Sequence, residues 1–354
     1  MQERPIVSRG EQTCTSKPTN SQSDCMAVID RNLLSKGFSK QTRNLLASSW
    51  RKGTQKDYRC KFRLFSSWCS QQQVDTYAAT LTDCADFLSF LFFDKGLKYR
   101  TINGYRSMLS SVLPSIEGKP VGQHPCIIRL LKGIFNQRPP VKKLIPEWDL
   151  PLVLGCLRRA PFEPMKDAAL KFVTWKTCFL IAVTTFQRCS DLQSLQLGEQ
   201  NVNIQKKGVT FLRTGLSKTD RPSHIKRSIF IPAFTRDKFV DPKRALTYYL
   251  MKTEKFRSES DVSLKLFLAI NKPHKPVSSQ TISRWITSTI RYCYKKSNKS
   301  VGCVTGHSTR SIGPSWAIFK GASFQQIMES ADWSKETTFV KHYLKQVNVN
   351  YLEV

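Results

Sequence analysis

Apolar residues recur at three- and four-residue spacing between Arg31 and Glu147: Leu33, Leu34 and Phe38, then Tyr58, Phe62, Phe65 and Trp68, then Phe87, Leu88, Leu91 and Phe92. That period lines up one face of a helix, so the stretch predicts four or five short helices. Asp83 and Thr101 are the expected N-caps, Gly96 and Gly118 the expected stops. Pro139-Pro140 break the last helix ahead of a linker marked by Pro146, because proline supplies no N–H and blocks the helical conformation of the residue before it. Residues 1–30 are polar and low in aromatics, which predicts a disordered arm. No internal repeat is evident.

From Trp148 the pattern changes. An apolar helix is expected from about Lys166 to Phe186, carrying Leu170, Val173, Phe179 and Val183. Three short β-branched or aromatic runs follow, Val202 to Ile204, Val209 to Leu212 and Ile229 to Ile231, separated by Lys206-Lys207-Gly208 and by Lys218-Thr219-Asp220-Arg221-Pro222. They predict a small antiparallel sheet. Helices return over Asp241 to Lys255, Ser278 to Tyr294, Ser308 to Lys320, Ser323 to Asp332 and Thr337 to Leu344, with Ser323 and Gln326 spaced as a capping box. The expected class is mainly α with a small antiparallel β-sheet (α+β): an arm over 1–30, a helical domain over 31–147 and a mixed domain over 148–354.

Charge adds a partner. The 354 residues hold 56 Lys+Arg against 26 Asp+Glu, a formal net charge of +30. The arm contributes nothing to it, with three basic and four acidic residues, whereas residues 31–147 carry +13 and residues 148–354 carry +18. Both domains therefore attract the same polyanion, and double-stranded DNA held between two basic domains fits better than a membrane surface. Eleven cysteines without a C-x-x-C pair or a clustered His argue against a zinc site, and no metal or other cofactor is expected. Met1 to Asp30 lacks the apolar core of a signal peptide, and the longest apolar runs fall far short of a bilayer span. The expected location is intracellular, with no membrane partner.

Three local signals in the second domain carry chemistry. Arg188 ends the apolar helix, with Asp191 three positions later. His307 and Arg310, in Gly306-His307-Ser308-Thr309-Arg310, share a helical face at i, i+3 spacing. Trp333 and Tyr343 bracket a short helix in Ala331-Asp332-Trp333-Ser334 and Thr338-Phe339-Val340-Lys341-His342-Tyr343. Each has a plainer reading taken singly, as a structural ion pair for the Arg and as core for the aromatics.

In this order, with Lys218 in the turn after the second strand, they resemble the signature of the tyrosine recombinase (phage integrase-like) family: Arg, Lys, His-x-x-Arg, His or Trp, then Tyr. The likeness extends over the helical domain, which resembles the family's core-binding domain, so that about nine-tenths of the chain is covered. The quoted phrases look most like recombinases of eukaryotic mobile elements of the DIRS type, which implies a nuclear location. The resemblance further implies a homo-tetramer on two DNA duplexes and strand exchange through a 3′-phosphotyrosyl intermediate, without ATP or metal.

The chemistry of the residue types agrees. Two guanidiniums, Arg188 and Arg310, can clamp the non-bridging oxygens of a scissile phosphate as charge builds there, and Trp333 can add an indole N–H. Tyr343 is the expected nucleophile, with Tyr351 as a rival. A phenol ordinarily titrates near 10 and must lose its proton to attack; His307 can accept it. Lys218 is the expected general acid for the departing 5′ oxygen, with Lys226 and Arg221 close by. Asp191 would hold Arg188 or His307 in place. Lys98, Arg100 and Arg106 on one helix, and Arg284 and Arg291 on another, are candidate DNA contacts. Two other classes stay open at this point: a domesticated relative that binds DNA and no longer cuts it, and a type IB topoisomerase.

Overall fold

The computed structural model describes residues 24–140, 148–225, 228–257 and 264–344. The chain divides into two compact units, Met1–Lys143 and Leu144–Val354.

In the first unit six helices are described: α1 (Cys25–Ser35), α2 (Lys40–Ala47), α3 (Lys52–Gln71), α4 (Leu81–Phe93), α5 (Tyr99–Val112) and α6 (Pro125–Gln137). Their apolar faces meet in one core, with Phe62, Phe65 and Cys69 from α3, Phe87, Leu88 and Leu91 from α4, Met108 and Leu109 from α5, and Ile127 from α6. Phe65 meets Phe87 edge-on at 5.0 Å. Full burial of each such side chain is worth about 1.5–3 kcal/mol.

Several expectations change here. The first helix opens at Cys25, within the segment expected to be disordered, because Cys25, Val28 and Ile29 have a core to enter and Asp24 caps it by accepting from the Met26 N–H. That helix also raises the number beyond four or five. The N-cap of α4 is Thr80 and Asp83 is its capping-box partner. Lys98 stands at the N-cap of α5, which puts Thr101 inside the helix. Gly96, at φ 59°, follows the end of α4 as expected, whereas Gly118, at φ 72°, does not stop α5: that helix ends at Val112 and Gly118 serves the separate turn between Ile116 and Lys119. Pro139-Pro140 do follow the end of α6.

The second unit comprises α7 (Leu150–Leu157), α8 (Leu170–Thr185), α9 (Cys189–Ser194), β1 (Val202–Gln205), β2 (Gly208–Leu212), β3 (Ser228–Pro232), α10 (Pro242–Thr253), α11 (Ser279–Lys296), α12 (Thr309–Phe319), α13 (Phe324–Ala331) and α14 (Glu336–His342). The strands form an antiparallel meander in the order β1-β2-β3, with Val202 opposite Phe211 and Gly208 opposite Pro232. Val209, Phe211, Ile229 and Ile231 turn inward while Leu212 and Phe230 stay exposed, the two-residue alternation of a one-sided sheet. Helix α8 is buried nearly all round, with α10, α11 and α12 packed on it. The expected runs thus become the expected elements: the three strands are one or two residues longer, α11 runs on to Lys296, α14 opens one residue earlier and the other helices are shorter, while α7 and the six-residue α9 are additions. No helix among the described residues is long and apolar enough to cross a membrane.

Candidate active site

Helix α8 ends where Phe186 adopts a left-handed conformation, φ 56° and ψ 21°, which frees its carbonyl and turns the chain so that Arg188 caps α9. The Arg188 guanidinium lies 3.7 Å from Asp191 Oδ2, and the Arg188 N–H donates to the same oxygen at 3.3 Å. Asp191 is 3 % exposed. Burial pushes its carboxyl pKa up, against the pull of Arg188 and Arg213. Asp191 therefore holds Arg188, as expected from its spacing, and also faces Arg213 at 3.8 Å.

Arg310 is wholly buried at the start of α12. Its Nη1 donates to the Phe186 carbonyl and its Nη2 to the Ala331 carbonyl at 2.7 Å. The guanidinium thus bridges the end of α8 to the end of α13. Burial, then the charge of Arg188, push its pKa down to about 10, with Tyr343 and Asp191 opposing; it remains a cation at neutral pH. Two glycines permit the close packing. A Cβ on Gly313 would stand 2.5 Å from the Val183 carbonyl, and one on Gly306 would stand 2.7 Å from Ser283 Cα. Trp148 supports the same segment by donating its indole N–H to Ser308 Oγ at 2.8 Å.

His307, Trp333 and Tyr343 complete the group. His307 Nε2 is 3.2 Å from the Tyr343 hydroxyl. The imidazole keeps an exposed edge; the crowded site strips enough water from it, and Arg310, Arg188 and Lys218 add enough positive charge, to push its pKa down. Trp333 lies in a small apolar cluster with Phe186, Ile327, Met328 and Phe339, stacked against Phe339 at 4.8 Å and Tyr343 at 4.7 Å. The core reading of this residue therefore holds. Among the described residues, Arg310 Nε and Trp333 Nε1 are buried N–H donors without a hydrogen-bond partner. Such orphans are costly unless an acceptor is supplied.

Lys218 is exposed in the connection between β2 and β3, near enough for its charge to act on His307. The sequence did not single out what holds that connection. Arg213 makes a two-pronged bond to Asp220, 2.8 Å to each oxygen, and the Thr219 hydroxyl accepts from Arg188 Nη1 at 3.5 Å while donating to Asp332 Oδ2 at 2.9 Å. Arg213 and Asp220 do flank the Lys218 turn in sequence, a signal that was available. Lys226 and Tyr351 lie outside the described residues.

The structure thus gathers Arg188, Lys218, His307, Arg310, Trp333 and Tyr343 around one spot. The DNA-contact candidates divide. Lys98, Arg100, Arg284 and Arg291 are exposed, and the last two stand seven residues apart on α11, on one face. Arg106 is half-buried and bonds the Gly122 carbonyl at 2.7 Å and Asn103 Oδ1 at 3.2 Å, the tie of a structural residue.

A comparison with protein-family models returns no match, and neither does one with curated proteins. Solved structures do match over nearly the whole chain. A fragment of the Tn1549 transposon integrase in complex with transposon right end DNA is 13 % identical, with a TM-score of 0.56, over 92 % of this chain and 96 % of that one. The XerH site-specific recombinase bound to palindromic difH substrate, a post-cleavage complex, is 14 % identical, with a TM-score of 0.54, over 93 % and 88 %. With its mainly helical build and small three-stranded antiparallel sheet, the chain has the fold of the tyrosine recombinases.

Proposed function

We propose that this chain is a site-specific DNA recombinase that cuts and rejoins strands through Tyr343. The observation that carries the reading is the meeting of a phenol, an imidazole 3.2 Å from it and a buried guanidinium against the phenol ring, with two partnerless N–H donors alongside. A phosphate oxygen is an acceptor of the right charge for Arg310 Nε and Trp333 Nε1, both of which are covered without DNA and come into its reach only as the site opens to the strand. Arg188 and Arg310 offset the charge that grows on the non-bridging oxygens. Tyr343 Oη attacks phosphorus as His307 takes its proton, and the bond to the 5′ oxygen breaks as Lys218 protonates it. A phosphotyrosyl ester replaces a phosphodiester, and attack by a 5′ hydroxyl of a partner strand reverses the step.

The helical unit supplies further DNA contacts, and four protomers work on two duplexes in the nucleus, integrating a mobile element of the DIRS type. Support for the DNA partner comes from the charge of +30 and from the recombinases of like fold, one of them bound to transposon end DNA. The test is incubation of the protein in EDTA with a random-sequence pool of labelled duplexes, followed by denaturing capture of protein-linked DNA. Wild type enriches defined sites as a covalent band and Tyr343→Phe gives none. A wild type that binds DNA tightly but never yields the band would replace this reading with a DNA-binding protein that does not cut.

A further inference from the structure

One carboxylate outside the six reacting residues joins two of the elements that carry them. Asp332 is 4 % exposed and stands between α13 and Trp333 in a left-handed conformation, φ 56° and ψ 50°. Its Oδ2 accepts from Thr219 Oγ1 at 2.9 Å, and its Oδ1 lies 2.9 Å from His224 Nε2. Thr219 directly follows Lys218, and His224 sits six residues after it on the same connection. The stem of that connection is held by Arg213, through Asp220 at 2.8 Å and Asp191 at 3.8 Å. Its tip is exposed, with Leu216 74 % accessible. Through Thr219 and His224, Asp332 ties that connection to Trp333, which it directly precedes.

A lysine has a long stem with several free torsions, and a turn that wanders under it multiplies the positions its ammonium can take. Proton transfer needs the donor within hydrogen-bond reach of the leaving oxygen, and a displacement of about 1 Å can cost about a hundredfold in rate. We infer that Asp332 is a positioning residue for Lys218: by holding Thr219 and His224 it keeps the ammonium aimed at the departing 5′ oxygen, in register with Trp333 on the other side of the phosphate. The inference rests on the reading of Tyr343 as nucleophile and Lys218 as general acid.

Two variants test it. Asp332→Gly removes the carboxylate while keeping a left-handed backbone that glycine adopts freely, and Thr219→Val removes the hydroxyl at almost unchanged shape. Each is assayed in single turnover on a duplex recovered in the selection above, and on the same duplex with sulfur in place of the bridging 5′ oxygen. A thiolate is the weaker base, with a thiol pKa of about 8.5, and leaves without a proton from Lys218. Each variant is expected to form the covalent complex about 30- to 100-fold more slowly than wild type on the oxygen duplex and within about 3-fold of it on the sulfur duplex. Lys218→Ala serves as the reference for that pattern.

Equal losses on both duplexes would make Asp332 a support for Trp333 or for the fold and would overturn the inference. So would an unchanged rate on the oxygen duplex. If instead wild type forms no complex with either duplex, or Lys218→Ala is not rescued by sulfur, the underlying assignment of nucleophile or acid is wrong and the inference falls with it.

Discussion

Trp333 and Tyr343 stack with ring centroids 4.7 Å apart and planes 30° apart, and the Arg310 guanidinium carbon lies 4.7 Å from the first centroid and 5.7 Å from the second. One buried cation thus sets the place of both rings. Because Arg310 is itself fixed by the carbonyls of Phe186 and Ala331, the Tyr343 ring is located by the ends of α8 and α13 as much as by α14, which it directly follows.

Arg310→Lys keeps the charge and loses the fork. An ammonium has three donors but only one nitrogen, so it cannot span the Phe186 and Ala331 carbonyls as Nη1 and Nη2 do while a third, separate nitrogen faces a phosphate. Covalent complex formation is expected to fall by about 10²- to 10³-fold, the cost of removing one donor from a site that stabilises a growing anion, with DNA affinity little changed. Single-turnover time courses check this; a rate within a few-fold of wild type would remove Arg310 from the chemistry.

His307 is expected to titrate below the ordinary value of 6.5 in the DNA-free protein, since crowding and the neighbouring cations both disfavour the imidazolium. The sign follows for stability: a pKa lowered on folding leaves the native state unpenalised above 6.5 and costs stability as the pH falls through the lower folded value. At neutral pH the ring is then neutral and can accept the tyrosine proton. Proton NMR of the ring against pH, assigned with His307→Gln, measures the shift. A value at or above 6.5 contradicts it, and added DNA phosphate is expected to move the value back up.

Arg284 and Arg291 share an exposed face of α11, the helix against which Gly306 packs. If both meet DNA phosphates, replacing both with alanine removes two counterion releases. The slope of log K against log salt then becomes shallower by about 2. Filter binding at four salt concentrations on a random duplex reads the slope. An unchanged slope would leave them as ordinary solvated arginines.

Local signals explain which parts of the molecule were legible in sequence. The three strands, α8 and the Ser323 capping box were readable because periodicity and cap chemistry act within a few residues. The start of α4 was misplaced because Thr80 and Asp83 are both cap-type residues, and the box uses both. The start of α1 was missed because a polar composition hides three buried side chains, Cys25, Val28 and Ile29. In the site, the six candidate residues stood out together by order and type. Thr219 and Asp332 did not, since the Thr219–Asp332 bond spans 113 residues of sequence, and only packing brings such partners together.

Lys176 shows the same limit, and it carries the last prediction. It reads as one more position of an apolar helix, yet it is fully buried, with its ammonium donating to the Leu157 carbonyl at 2.8 Å and to Glu163. Arg244 meets Glu163 from the other side at 2.8 and 3.2 Å. Burial lowers the Lys176 pKa, while the bonds from Arg244 and Lys176 outweigh burial at Glu163 and hold its carboxyl below the usual range. The stability that Glu163 contributes is therefore present above pH 4.5 and lost as the pH falls through its lower folded value. Glu163→Gln leaves a buried ammonium without its counter-charge and is expected to cost about 3–5 kcal/mol. Adding Lys176→Met removes the stranded charge and restores most of that loss, because an apolar side chain of similar length fills the same space. Urea unfolding of the single and double variants decides it: a double variant as unstable as Glu163→Gln alone would show that the cost lies in packing around Glu163 and not in the unpaired charge.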